Sequence, residues 1–165
     1  VSHVVGLDYT PEMLSVAACK ARRKGLSDRL SLVIGDAHAL PFPDNQFTCA
    51  TVGFGTRNFI DVPKALREMA RVVAPGGRVV TLEIFPVDGA GLFGRLFPLY
   101  FRHVTPRLGA ILAGDQQSYT YLPESVQQFL NIRQLATVME EVGLRNVTFR
   151  KLALGTVAIH VAEKV

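Results

Sequence analysis

Short β-like runs that close on an acid or a glycine alternate along this chain with amphipathic helical segments, and that alternation constrains the fold more than any other feature. The sharpest instance spans Arg71 to Glu83. Arg71-Val72-Val73-Ala74 ends a helical pattern, Pro75-Gly76-Gly77 turns the chain, and Arg78 to Glu83 enters an apolar strand. Repeated strand-turn-helix units of this kind predict a mostly parallel sheet with helices on both faces.

The remaining elements follow the same punctuation. Val4 to Leu7 reads as a buried strand. Thr10-Pro11-Glu12 reads as a helix start, with Thr10 as N-cap, Pro11 at the first helical position and Glu12 in the first turn; the helix runs to about Lys24 and stops at Gly25. Leu30 to Ile34 is the next strand, Pro41 to Asn45 a turn cluster, and Phe47 to Val52 a further strand. Ala65, Leu66, Met69, Val72 and Val73 recur at helical spacing, and a strand runs from Arg78 to Phe85. Beyond Pro86 the pattern changes. Gly89 to Ala113 is rich in Gly, Leu and Phe, with Pro98 and Pro106 breaking any long helix, and reads as short helices forming a cover. Leu122-Pro123-Glu124-Ser125 opens a helix, Ile132 to Val142 carries another that Gly143 ends, and two strands near Asn146 to Leu152 and Thr156 to Glu163 form an antiparallel pair at the sheet edge. Residues 1–165 read as one domain, with 86–122 as its cover.

The 165 residues are 48% hydrophobic and 19% charged, which suits one domain with a full core and excludes disorder. The net charge of +4 is dispersed, and its one cluster, Lys20 to Lys24, falls at a helix end, where cations complement the helix dipole. Nucleic acid is therefore not an expected partner. Cys19 and Cys49 have neither metal-like nor redox-like spacing, nothing resembles a secretory leader, and a cytoplasmic location is expected. Arg95 and Arg102 interrupt the best apolar run, so a membrane span is not expected, while contact with a membrane surface stays open.

Two carboxylates stand at successive strand ends, Asp8 after Val4-Val5-Gly6-Leu7 and Asp36 after Ile34-Gly35. An acid at the carboxyl end of a parallel strand can take ribose hydroxyls, so the pair suggests a nucleoside site. Each has a plainer reading: Asp8 serves equally well as a cap beside Pro11, while for Asp36 the tandem favours the ligand over an ordinary turn residue. Sheets of this kind usually begin with a strand and a Gly-rich turn, whereas this chain opens on what reads as the second strand. The first strand and its Gly-rich turn are expected to be missing, the domain being truncated at its N-terminus. Gly53-Phe54-Gly55 ends another strand with little side-chain bulk. By spacing alone Arg57 and Asn58 read as a surface arginine and a capping asparagine. His3, His38, His103 and His160 show no foreseeable carboxylate partner and read as packed or solvated.

The chain resembles the seven-stranded, S-adenosylmethionine-dependent methyltransferases, and among them the ubiquinone/menaquinone biosynthesis C-methyltransferases. The resemblance rests on Asp8 with Met13-Leu14, Gly35-Asp36-Ala37, Leu40 to Asp44, Phe54-Gly55-Thr56-Arg57-Asn58, Arg71 to Glu83, Gly114-Asp115, Tyr121 to Ser125 and Gly155 to His160. Leu-Pro-Phe-Pro-Asp and Pro-Gly-Gly are shared by many methyltransferases; Phe-Gly-x-Arg-Asn and Tyr-Leu-Pro-Glu-Ser are more specific.

What the resemblance implies is an α/β, Rossmann-like seven-stranded sheet with an antiparallel C-terminal pair. It further implies S-adenosylmethionine bound by Asp8, Asp36, Ala37 and Gly53, where similar enzymes often have Ser in place of Gly53. The implied activity is C-methylation of a polyprenylated quinol, demethylmenaquinol or 2-polyprenyl-6-methoxy-benzoquinol, with Arg57 and Asn58 as catalytic residues and no metal. His103, Asp115, Tyr119 and Tyr121 are candidates for the quinol head group, and Leu92 to Ala113 for its tail. A homodimer is among the arrangements the sequence allows. An O- or N-methyltransferase, a non-catalytic module and a dinucleotide dehydrogenase remain as other readings.

Overall fold

The computed structural model describes residues 3–86 and 116–165, and of residues 116–120 and 122 the backbone alone. Its elements are β1 (Val4–Asp8), α1 (Pro11–Arg23), β2 (Leu30–Ile34), β3 (Phe47–Gly53), α2 (Val62–Val72), β4 (Val73–Ile84), α3 (Gln116–Gln128), α4 (Ile132–Glu141), β5 (Leu144–Leu152) and β6 (Val157–Lys164).

Local chemistry accounts for most boundaries. Pro11 opens α1, and Gly25 beyond its end takes a left-handed φ of 64°. The Thr10 side chain makes no cap bond, contrary to expectation; the Asp8 side chain instead accepts the Thr10 amide, an acid folding back on its own turn. Asp61 caps α2 by accepting from the Lys64 amide. Asn131 and Gln134 exchange side-chain and backbone bonds in a capping box at α4, and Gly143 ends that helix at a φ of 96°. Pro123 does not open its helix. It lies inside α3, where it forgoes one ladder bond and crowds the carbonyl four residues before it.

Parallel pairing joins β1 to β2, with Asp8 opposite Ile34, and β3 to β4. β6 lies antiparallel between β4 and β5, giving the order β3-β4-β6-β5. The antiparallel C-terminal pair therefore sits at a sheet edge, as the sequence predicts. A single sheet is not observed. Among the described residues six strands form two sheets, of two and four strands, rather than the seven expected. Pro75-Gly76-Gly77 is also not a plain turn between helix and strand. Val73 pairs with Phe47 and Arg78 with Cys49, so residues 74–77 bulge out of the ladder. Gly76 supplies a φ of 79°, and a Cβ on Gly77 would come 2.7 Å from the Thr48 carbonyl oxygen.

The core lies on one face of the larger sheet. Val79 and Phe85 of the β4 segment, with Ala158 and Ala162 of β6, meet Leu66 and Met69 of α2 and Leu135 and Met139 of α4. The same face carries polar groups, since Thr81, Glu83 and His160 are all fully buried. The β1-α1-β2 unit is packed more thinly. Ala21 is its one buried apolar residue, and Val4, Met13, Val16 and Ile34 are exposed.

Candidate active site

The carboxyl ends of β1 and β2 are brought together by a hydrogen bond, and His38 links them to the loop before α2. The Gly35 amide donates to the Asp8 carbonyl at 3.1 Å, which sets Asp36 beside the end of β1. Asp36 Oδ1 accepts from the amide of His38 at 2.8 Å and from its Nδ1 at 2.6 Å. The far nitrogen of that ring receives the Asp61 amide at 3.2 Å, and the ring packs edge-on against Phe59. Phe59 and Asp61 belong to the loop between β3 and α2, so His38 ties the end of β2 to that loop. His38 thus has a carboxylate partner that was not foreseen from the sequence. The amide and ring of His38 together hold Asp36 below the usual carboxylate range.

This edge fits a nucleoside. Asp8 spends one oxygen on the Thr10 amide and Asp36 one on His38; among the described residues the second oxygen of each has no partner. The Ala37 amide likewise has no acceptor among them. Among the described residues a Cβ on Gly53 would meet nothing within 4 Å. Asp8, Asp36 and Ala37 therefore stand together at the ends of β1 and β2, while Gly53 ends β3 in the larger sheet.

Beyond Gly53, Phe54 turns the chain at a φ of 58° and its amide bonds the Leu82 carbonyl of β4. The 3₁₀ turn Thr56–Asn58 follows. Arg57 is not a surface arginine; its side chain is 10% exposed and pairs with a fully buried Glu83 at 2.7 Å. The same Nη1 donates to the Phe54 carbonyl at 2.6 Å, and Nε donates to Ser125 Oγ of α3 at 3.3 Å. Nor does Asn58 cap the following helix, which Asp61 does. Its side-chain oxygen accepts from the Tyr121 hydroxyl at 2.9 Å. Arg57 and Tyr121 line a cleft of about 780 Å³ between this turn, the start of α2 and α3, within the size range of small-molecule sites.

The structure thus joins Arg57, Asn58 and Tyr121. Tyr119 lies on α3 two residues before Tyr121, with only its backbone described. His103, Asp115 and the apolar stretch Leu92 to Ala113 lie outside the described residues. His160 is packed, not solvated: its Nε2 donates to the Ile132 carbonyl at 2.9 Å, and burial pushes its pKa down. Glu83 went unassigned from the sequence, although a carboxylate in the run Val79-Val80-Thr81-Leu82-Glu83-Ile84 is a visible signal that some cation must reach it.

A family model described as the ubiE/COQ5 methyltransferase family matches residues 1–164. The demethylmenaquinone methyltransferase of Deinococcus radiodurans is 47% identical over 161 residues, 98% of this chain and 65% of the relative. The mitochondrial 2-methoxy-6-polyprenyl-1,4-benzoquinol methylase of Bos taurus is 42% identical over 159 residues, 96% of this chain and 48% of the relative. The chain thus spans 48% to 65% of the length of these two relatives. Among solved structures, the cyclase SpnF superposes with a TM-score of 0.73 at 19% identity, covering 98% of this chain and 66% of that one. A SAM-dependent methyltransferase from Aquifex aeolicus does so at 0.67 and 18%, covering 99% and 69%. At such identities the likeness shows the α/β methyltransferase fold alone, a fold that also carries other chemistry.

Proposed function

Because the chain belongs to the ubiE/COQ5 methyltransferase family, we propose that it acts in the S-adenosylmethionine-dependent methylation of a ring carbon of a polyprenylated quinol, demethylmenaquinol or 2-polyprenyl-6-methoxy-benzoquinol. The observation that carries this reading is a pair of strand-end carboxylates tied through His38 and Asp61 to the loop after a short turn, a turn whose Arg57 lines a cleft and whose Asn58 bonds Tyr121 on the cleft's other wall.

When bound, the cofactor supplies an electrophilic methyl group on a sulfonium. Asp8 binds the ribose hydroxyls, Asp36 and the Ala37 amide bind the adenine, and Gly53 admits the ligand close to the backbone. On the acceptor side a quinol ring carbon becomes nucleophilic as a phenol loses its proton. The Arg57 guanidinium stays protonated and is no base. It stabilises the developing phenolate or, with Asn58, orients a water that takes the proton. Because Glu83, the Phe54 carbonyl and Ser125 already hold the fork, it acts without reorganising during the reaction. In-line attack then depends on orientation and on exclusion of water. Tyr121 orients Asn58, while Tyr119, His103 and Asp115 meet the head group and Leu92 to Ala113 takes the isoprenoid chain.

Three further parts belong to the same proposal. A strand between β1 and β3 completes a seven-stranded sheet, since among the described residues each of these strands has one unpaired edge. The protein meets its lipid substrate at the cytoplasmic face of a membrane. It self-associates as a homodimer, which sedimentation measures directly.

The test is methyl transfer from isotopically labelled S-adenosylmethionine to short-tailed demethylmenaquinol and benzoquinol acceptors, with the product located by mass spectrometry and proton NMR. Loss of a ring proton is expected. Label on oxygen or nitrogen, or turnover of an unrelated acceptor alone, overturns the quinol reading.

A further inference from the structure

We propose that Glu83 is the positioning residue of the acceptor site, a buried carboxylate that sets the backbone and guanidinium of Arg57 together and, through them, the place of Asn58. The proposal rests on the reading of Arg57 and Asn58 as the groups that meet the acceptor.

Glu83 lies on the core-facing side of β4 and is fully buried. Its cross-strand neighbour on β6 is Ala158, which offers no polar group, so the carboxylate turns to the other side of the strand end. Oε1 accepts from Arg57 Nη1 at 2.7 Å and from the Ile84 amide at 2.8 Å. Oε2 accepts from the Arg57 amide at 3.2 Å. One carboxylate thus holds the main chain and the side chain of a single residue. The consequence is geometric, because Thr56–Asn58 is one short 3₁₀ turn with little stability of its own. Pinning its middle residue at two points fixes the turn, and Asn58 comes next in the chain.

The chemistry of the pair points the same way. A buried ion pair is a weak source of stability, and apolar side chains of similar volume often serve a core as well. What an apolar residue at position 83 could not supply is direction. Of the five guanidinium N–H groups, Nη1 commits one to Glu83 and one to Phe54, and Nε commits its own to Ser125. Among the described residues Nη2 has no partner. The fork is therefore oriented from three sides with one nitrogen left for the acceptor, and Glu83 is the only one of the three holders that is both charged and fully buried.

The test uses the family's full-length enzyme containing this chain, with Glu83→Gln, Arg57→Lys and the double variant. Gln keeps the shape but replaces an acceptor oxygen by an amide group that opposes the Arg57 donors. Glu83→Gln is expected to lower kcat by about 100-fold, in the range seen when a preorganised donor is lost. KM for S-adenosylmethionine should stay within about 3-fold, and the double variant should be no slower than the worse single variant. Amide hydrogen exchange gives a readout independent of turnover: the Arg57 amide should exchange about 10-fold faster or more in Glu83→Gln, while the β3 and β6 amides keep their protection. Wild-type-like kcat with unchanged Arg57 exchange overturns the proposal. So does an equal loss of turnover, cofactor affinity and global protection, the mark of a purely structural residue. If Glu83→Gln frees the Arg57 amide but Arg57→Lys leaves kcat unchanged, positioning stands and the role given to Arg57 fails.

Discussion

His38 donates from Nδ1 to Asp36 Oδ1 and accepts the Asp61 amide at Nε2, so one neutral imidazole ties the end of β2 to the loop that leads into α2. Both bonds require the same tautomer, because a carboxylate only accepts and an amide N–H only donates. The residue that shapes the proposed nucleoside edge is thereby joined to the loop that borders the proposed acceptor cleft.

His38→Phe keeps an aromatic ring against Phe59 and removes both hydrogen bonds. Losing one or two such bonds, each worth about 1 kcal/mol, should lower stability by about 1 to 2 kcal/mol and, through the freed Asp36, weaken S-adenosylmethionine binding by up to about 30-fold. Isothermal calorimetry on the full-length enzyme reads this directly, and unchanged affinity would remove the link between His38 and the cofactor edge.

Asp8→Ala should cost more, because the lost contacts are charge-assisted bonds to ribose hydroxyls. The expected weakening is about 1.5 to 3 kcal/mol in cofactor affinity, with kcat at saturating cofactor nearly retained. If affinity holds and only thermal stability falls, Asp8 is a turn-forming residue and no more.

Stability should fall in two separate acid windows. His160 is held below its ordinary value of 6.5 by burial, so the unfolded chain binds the extra proton first. Its contribution is complete above that value and is lost as the pH falls below it. Asp36 is held below 3.8 by the His38 amide and ring, so its contribution is complete above that value and disappears as the pH falls through the lowered one. Urea midpoints across pH should show both declines. His160→Gln should flatten the first and Asp36→Asn the second; a variant that leaves its own window unchanged counts against the assignment.

Arg71 clamps the loop that follows Asp36 and Ala37. Its guanidinium donates to Glu68, Asp44 and the carbonyls of Leu40 and Phe42, and the Glu68 carboxylate, held low by that contact, also accepts the Leu40 amide. Arg71→Lys keeps the charge and loses the fork. With these groups partly exposed, a loss of about 1 to 2 kcal/mol in urea unfolding is expected, with increased hydrogen exchange across residues 40–45. Unchanged exchange in that segment would deny the clamp.

Local signals made much of the fold legible. Pro11 and Gly25 bracket α1, Gly143 ends α4, and β2 falls on the residues its apolar run implies. These boundaries depend on φ preferences and on periodicity, which neighbours in sequence carry. What the sequence hid depends on distant partners. Nothing near Glu83 shows that a turn 26 residues earlier supplies its cation, and nothing near His38 shows that Asp61 completes its bonding. Arg57 looked exposed for the same reason: its three holders come from a turn, a strand and a helix. Pro123 misled because a helix-start motif is also compatible with a helix already under way.

The strand order has a consequence for the newborn chain. β4, which carries Glu83, takes β3 on one side and β6 on the other, and β6 is the last of the six strands in sequence. As the polypeptide emerges from the ribosome, β4 waits with one edge bare through the synthesis of α3, α4 and β5. Arg57 and its carboxylate can meet early, but the sheet around them closes only when residues 157–164 slot in. Such late, long-range insertion slows folding and leaves an edge open to wrong partners, so in the cell chaperone engagement should be heaviest on chains stalled just short of β6.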